Sequence, residues 1–555
     1  MQAHCGINLS VTEQGRSFLT KGSPLSVAQE RLWVLDQLHP RNPAQNLSCG
    51  LRLTGLLDTG VLEAALGEVV ERHEILRTEF HTVDGAPVQV VLSPARVTVE
   101  VVDLRHLPQQ EREAQLFRLA QERTQRPFDL THGPLFRATL FQLTETEHVF
   151  LVVVHRIMCD ELSVRLLLSE LNLLYKARVS EKPQELAEIP LQYRELANRE
   201  AMPSAAQLLY WKQRLEGAPS SIDLPTSRQR QPVQTFRGAR QRMWIEAPLL
   251  ERIRRLAQSH GATLFMTLCA AFNVLLSRYS RQEDMVVGTC VSGRGRPELE
   301  KLIGPLENLL ALRMDVSGDP SFTDLLTRVR EVTEGAFWHQ DVPFEAVVKQ
   351  LRLERDMSRH PIFQIMFTSR DAAVPTPFQT EPGVSLLEME SSMEQFDLSV
   401  EFASSQHGLD VTFSYNPDLF DEVTVERMTG HFRVLLASAA DNPGVKISRL
   451  PLLTEAERHQ LLVEWNDTGV EYVTDVPLNQ FIEEQVEKTP ESVAVIYDSE
   501  QLTYRQLNNR ANQLAHHLKR LEVGADVLVA VCMERSLELV TALLAVLKEI
   551  GRAHV

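Results

Sequence analysis

Apolar residues recur along this chain in two periods, and the alternation between them predicts a mixed α/β protein. In residues 26–38, SVAQERLWVLDQL, positions Val27, Leu32, Leu35 and Leu38 fall at helical spacing, and EAALGEVVERHEILRTEF (63–80) predicts a second amphipathic helix. VQVVLS (88–93), VTVEVVDL (97–104) and HVFLVVVH (148–155) are short and β-branched, with helical pattern between them, as expected of buried strands. The stretch near 185–235 is rich in Pro, Gln, Ser and Arg, least patterned in PSSIDLPTSRQRQPVQT, and reads as a crossover to a second α/β set. That set has helical pattern at 248–259, 262–279 and 321–337. Its strands are expected at MVVGTCV (285–291) and near 363–368 and 397–415. After Leu450 the composition shifts again, in PLLTEAERHQLLVEWNDTGV, which has the character of a linker.

Length and charge narrow the classes. A chain of 555 residues is too long for one ordinary domain, and 43% hydrophobic with 24% charged residues fits a soluble globular protein. The formal charge of −17, without a basic block, argues against a nucleic-acid partner. The start, MQAHCGINLSVTEQ, lacks the features of a secretory signal, and no apolar run reaches membrane-spanning length, so no membrane partner and a cytoplasmic location are expected. Six cysteines, Cys5, Cys49, Cys159, Cys269, Cys290 and Cys532, are scattered without metal-ligand or disulfide spacing and read as reduced thiols, with no metal. No Gly-rich nucleotide fingerprint follows any strand.

Seven ordered segments carry a family resemblance. They are SVAQERLWVLDQL (26–38), RHEILRTEF (72–80), RPFDLTHGPLFRATL (126–140), YRELANRE (193–200), VSGRGRPELEKLIGPLENLLALR (291–313), HQDVPFEAVVKQL (339–351) and RDMSRHPIFQIMF (355–367). In order and spacing, roughly over 22–450, the chain resembles the condensation domain of nonribosomal peptide synthetases. Residues 476–550 resemble the start of an adenylation domain. The resemblance implies an α/β fold with two chloramphenicol-acetyltransferase-like lobes forming a V-shaped pseudo-dimer. The expected division is 22–185 for the N-lobe, 186–450 for the C-lobe, 451–475 for a linker and 476–555 for a truncated adenylation segment. The chain stops at Val555, before the phosphate-binding loop of that family, and no carrier-domain serine motif is present. Both facts read as an interrupted or fragmentary adenylation domain. Because the chain begins with the condensation segment, the donor is expected on another polypeptide.

In that family a donor acyl thioester is attacked by the amine of an aminoacyl thioester. The site therefore positions two pantetheine arms and handles a proton and an oxyanion. The resemblance implies no cofactor bound by the domain itself, with substrates on the phosphopantetheine of peptidyl or aminoacyl carrier proteins and other synthetase modules as partners. The family motif of two histidines, three residues, Asp and Gly corresponds here to His155, Arg156, Ile157, Met158, Cys159, Asp160 and Glu161. The role given to the second histidine falls on Arg156, the glycine is Glu161, and the resemblance makes His155, Arg156 and Asp160 the candidate catalytic set.

Arginine keeps its proton to above about pH 12, so Arg156 cannot act as a base. It is left as an oxyanion donor, as an obstruction in the channel, or as an arginine ion-paired to Glu161 in a site without chemistry. His155, one residue earlier on a strand end, points to the opposite face and reads as a packed histidine. Asp160 resembles the family's structural aspartate and needs a buried cation, for which Arg294 in VSGRGR is expected. Cys159 lacks a base partner and reads as a small buried thiol. Asn308 matches a channel-lining asparagine, although the PLE before it departs from the usual aromatic and valine, and with Glu161 it is assigned to substrate binding. Trp33, His339 and Arg355 are expected to shape the core and the lobe interface.

Two functions stay open. One is an amide-forming transferase that tolerates Arg156, which a condensation segment directly ahead of an activation segment favours. The other is a non-condensing platform that binds carriers or recruits tailoring enzymes, as variants of this fold with His-Arg do, and Glu161 leans that way. A cyclising relative would carry Asp at position 155, and an epimerising one would need the second histidine.

Overall fold

A computed structural model describes residues 22–38, 40–182, 186–199, 203–352, 356–370, 383–387, 393–405, 407–470, 476–548 and 552–554. The chain separates into two compact units, Met1–Arg458 and His459–Val555. The expectations placed on Cys5 and Arg355 lie outside the described residues.

The first unit holds two hydrophobic cores, each built on its own sheet. The first sheet has five strands in the order Val384–Leu387, Asn46–Thr54, Glu147–His155, Phe136–Gln142 and Glu100–Asp103, antiparallel except for the last pair. Its central strand Glu147–His155 is buried along nearly its whole length, as a continuous Val/Leu/Phe run requires. Helices Thr59–Arg72 and Glu161–Val179 share this core through Leu62, Leu66 and Val69 on one and Val164, Leu167 and Leu171 on the other.

The second sheet has six strands in the order Asn308–Asp315, Asp284–Val291, Ile365–Ser369, Leu398–Ser404, Gly408–Tyr415 and Ala239–Glu246. Helix Leu264–Ser280 is buried at every position from Met266 to Leu276, because it lies within the second core beside helices Ala247–Ser259, Phe322–Trp338 and Glu422–Asp441. No single helix among the described residues is long and apolar enough to cross a membrane.

Three expectations need correction. The helix placed over 63–80 runs instead from Thr59, capped by Asp58 accepting from the Val61 amide at 3.0 Å, and ends at Arg72. His73 takes an extended conformation (φ −106°, ψ 105°), a short turn Glu74–Arg77 follows, and Thr78–Val83 is a strand. The segment VTVEVVDL is a strand only over Glu100–Asp103. The stretch 185–235 contains two helices, Tyr193–Arg199 and Ala205–Leu215, the second opened by a capping box between Ser204 and Gln207.

The two cores are also interleaved in sequence. Leu191 and Tyr193 belong to the first core, whereas Trp211 and Leu215 belong to the second. From further along the chain, Val384–Leu387 pairs with Asn46–Thr54 and covers what would be an open edge of the first sheet. Leu299, Leu302 and Ile303 are buried in the first core, although the strands on either side of them, Asp284–Val291 and Asn308–Asp315, belong to the second sheet.

In the second unit, helices Leu478–Lys488, Tyr504–Arg520 and Leu537–Lys548 accompany the hairpin of Val493–Tyr497 with Glu500–Thr503. Its small core contains Leu502, Leu507, Ala511, Leu537 and Leu544.

The loop carrying Leu299 to Leu306 is held tightly. The Tyr193 hydroxyl meets Ser26 Oγ at 2.8 Å and donates to Pro305 O at 3.1 Å, and its ring lies where a Cβ on Gly304 would approach to 2.0 Å. Overpacking of this kind costs about 1–3 kcal/mol. Gly304→Ala is therefore expected to lower the thermal midpoint of the first unit by about 1–3 °C in a calorimetric scan. An unchanged midpoint would mean that this loop does not pack against Tyr193.

Candidate active site

The strand Glu147–His155 delivers the chain to a turn at the junction of the two cores, and helix Glu161–Val179 carries it away. Asp160 is the N-cap of that helix, accepting from the Ser163 amide at 2.7 Å. Its carboxylate also receives the Leu306 amide at 3.0 Å and a two-pronged Arg294 guanidinium, at 2.8 and 3.0 Å. The Asp160 and Arg294 side chains are 2% and 4% exposed, so the pair is out of water. Arg294 donates as well to Ser292 O, Leu302 O and Ser163 Oγ, and Ser163 Oγ in turn bonds both the amide and the carbonyl of Gly304. The structure thus brings together the two residues that sequence alone pairs, on segments 134 positions apart.

Gly293 makes the approach geometrically feasible. It has φ +64°, and a Cβ there would lie 1.9 Å from Leu306 O.

His155 and Arg156 diverge at the strand end. His155 turns into the first core, 2% exposed, with its ring edge toward Phe128 at 6.3 Å. Its Nδ1 accepts from the Ile157 amide at 3.1 Å, which leaves the ring proton on Nε2. Burial, and after it the Arg156 charge, push the imidazole from 6.5 down to about 3, so it is neutral at any physiological pH.

Arg156 anchors its amide on Gln45 O at 2.8 Å and extends its side chain outward. The guanidinium, 28% exposed, lies 3.6 Å from Glu161 and 3.9 Å from Glu307, at ion-pair rather than hydrogen-bond distance. Glu161 is the first residue of its helix and largely exposed.

Glu307 was not singled out by sequence, yet it completes this charge cluster from the other side. Burial first, and then the Asp160 and Glu161 charges, raise its carboxyl from 4.5 to about 8, against the opposing pull of Arg156 and Arg294. Its signal in the sequence was the acidic residue in PLE, immediately before Asn308, which the family resemblance had marked as a departure.

Asn308 opens the strand Asn308–Asp315. Its Nδ2 donates to Gln340 O at 2.8 Å and Val342 O at 2.7 Å, and its Oδ1 accepts from the Phe344 amide at 3.0 Å. With both amide hydrogens spent on backbone, Asn308 braces the 340–344 loop. Trp33 is partly buried against the first core. His339 stacks on Tyr210 with centroids 3.8 Å apart, and its Nδ1 bonds Gly335 O at 2.8 Å. Cys159 and Cys290 are both pushed up by burial, so neither is a thiolate at neutral pH.

The comparisons agree with this architecture. A family model described as "Condensation domain" matches residues 20–462, and one described as "AMP-binding enzyme" matches residues 482–555. The chain belongs to the condensation-domain family, with two chloramphenicol-acetyltransferase-like lobes, and a partial adenylation region follows. It is 43% identical over 543 residues to one component of the linear gramicidin synthase of Brevibacillus parabrevis, covering 96% of this chain and 11% of that protein. Tyrocidine synthase 2 of the same organism is 36% identical over 546 residues, covering 96% of this chain and 15% of that protein. The chain thus spans a small part of the length of these curated relatives.

Among solved structures, the X-domain from teicoplanin biosynthesis is 31% identical with a TM-score of 0.70, covering 80% of this chain and 99% of that one. A four-domain nonribosomal peptide synthetase bound to AMP and glycine shares the fold, with a TM-score of 0.81 at 21% identity, covering 98% of this chain and 42% of that one.

The buried histidine gives the fold a measurable pH dependence. An unfolded chain takes up a proton at His155 near its ordinary 6.5, whereas the folded one resists until about 3, so acid favours unfolding. Stability in urea should therefore fall as the pH drops below about 6.5, by up to about 1.4 kcal/mol per pH unit for this residue. His155→Asn keeps an acceptor near the Ile157 amide but does not titrate, and should show a shallower fall. An identical slope would contradict a neutral, buried His155. His360, depressed in the same direction by burial, adds a parallel contribution in both proteins.

Proposed function

We propose that this chain joins a carrier-bound acyl or peptidyl thioester to the amine of a carrier-bound aminoacyl thioester, forming an amide. The observation that carries this reading is the Asp160-anchored turn, which holds Arg156 at the junction of the two lobes, where Glu307 faces it from the other side. Amide formation from a thioester passes through a tetrahedral oxyanion, and a guanidinium that never loses its proton is a fixed donor for it. Arg156 then stabilises charge and leaves proton transfer to another group. In this reading residues 22–185 and 186–450 are the two lobes, 451–475 the linker and 476–555 part of an adenylation domain. The partners are carrier proteins bearing phosphopantetheine and other synthetase modules, and the location is cytoplasmic.

A second reading has its own support. The X-domain likeness, at an identity above that of several condensation-domain structures, favours a platform that binds a carrier or recruits a tailoring enzyme. One of the similar structures is a complex of that X-domain with OxyB.

A single-turnover assay with donor and acceptor carriers preloaded, followed by intact-protein mass spectrometry, separates the two. The wild type is expected to form amide, and Arg156→Ala to do so about 10²-fold more slowly, as loss of an oxyanion donor does. An inactive wild type that gains activity only as Arg156→His would reject native condensation and leave the platform.

A further inference from the structure

We propose that Glu307 is the proton acceptor of this site, taking the proton that the attacking amine must lose and passing it to the departing thiol. The proposal rests on the amide-forming reading. As the amine nitrogen bonds the thioester carbon and the carbon–sulfur bond breaks, one proton leaves nitrogen for a Glu307 carboxylate oxygen. The same proton then moves to the pantetheine sulfur, which restores Glu307 to its starting form.

Elimination within the cluster supports this assignment. His155 points into the core with its Nδ1 lone pair spent on the Ile157 amide. Arg156 holds its proton permanently. Asp160 accepts the Ser163 and Leu306 amides and both prongs of Arg294, and it is sealed from water. Cys159 is fully buried. Glu161 stands 53% exposed at the helix start, where water competes for any proton it takes.

Glu307 differs from each of them. Its side chain is 26% exposed, and among the described residues its carboxylate accepts no hydrogen bond and has Arg156, at 3.9 Å, as its ion-pair partner. Asn308 fixes the backbone beside it by three bonds to the 340–344 loop.

The charged and titratable groups around Glu307 come from every neighbouring element. They are Arg156 and Asp160 on the turn, Glu161 on the helix start, Arg294 on the loop after the strand Asp284–Val291, and Cys290 on that strand. Three acids against two guanidinium groups leave an excess negative charge when Glu307 is ionised, and one bound proton cancels it. A base whose affinity for a proton is matched to neutral pH is the efficient kind, and Glu307 is displaced in that direction.

The test uses the full chain with a panel of aminoacyl N-acetylcysteamine thioesters as acceptors and an acetylated aminoacyl thioester of the same thiol as donor. Amide is read by mass spectrometry from about pH 6 to about pH 9. The wild-type rate should rise with pH along a limb well above the ordinary carboxylate range. Glu307→Gln should lower kcat about 10²-fold or more, flatten that limb and leave the acceptor KM nearly unchanged. Glu307→Asp, the conservative variant, should recover part of the rate with the limb displaced.

A Glu307→Gln rate within about threefold of wild type with the limb intact, or a loss confined to KM, would overturn the assignment while leaving condensation standing. Should Glu307→Gln fail to fold, a Glu307→Asp profile identical to wild type would overturn it equally. A wild type that makes no amide with any acceptor removes the condensation reading, and Glu307's role with it.

Discussion

The site depends on one buried ion pair. Asp160 follows the central strand of the first sheet and Arg294 follows the strand Asp284–Val291 of the second, and neither charge is stable in the interior alone. Two-pronged pairing, with the Ser163 and Leu306 amides filling the remaining carboxylate positions, makes both tolerable. Such a pair contributes little net stability against an apolar substitute, since desolvation offsets most of the attraction. What it supplies is registration. With Asp160 also serving as the helix N-cap, the start of Glu161–Val179, the Arg156 turn and the loop through Gly304 share one fixed point.

From that fixed point the placement of the neighbouring side chains follows by direction. Adjacent residues at a strand end face opposite ways, so the same geometry that buries His155 as a neutral packing residue sends Arg156 outward between Glu161 and Glu307. A motif that reads in sequence as a histidine replaced by arginine is, in space, an arginine set between two carboxylates. Arg156 and the acidic residues at 161 and 307 form one electrostatic unit.

Much of this was legible in sequence because it rests on local rules. Short, continuous β-branched runs marked Glu147–His155 and Asp284–Val291, the strand-end rule separated His155 from Arg156, and the cost of an unpaired buried carboxylate pointed from Asp160 to Arg294. What was missed depends on contacts between distant segments. The apolar pattern of 63–80 continues through His73, so periodicity alone cannot show that the backbone turns there from helix to strand. Nothing in VSLL indicates that Val384–Leu387 joins Asn46–Thr54, since an edge position is set by the partner strand. Asn308 was expected to line the channel from its place in the family resemblance, and its bonds to the Gln340, Val342 and Phe344 backbone could not be foreseen because those groups are more than thirty positions away. Glu307 stood in view as a departure from the family pattern, but its meaning required the turn it faces.

The central claim is that Asp160 and Arg294 act as a unit to hold the turn in place. A double-mutant cycle in urea, with Asp160→Asn, Arg294→Met and the pair combined, measures that directly. Each single change should cost about 3–5 kcal/mol, and the double should be far less destabilised than their sum, with a coupling of about 2 kcal/mol or more. Additivity within about 0.5 kcal/mol would show two independent residues and contradict the account.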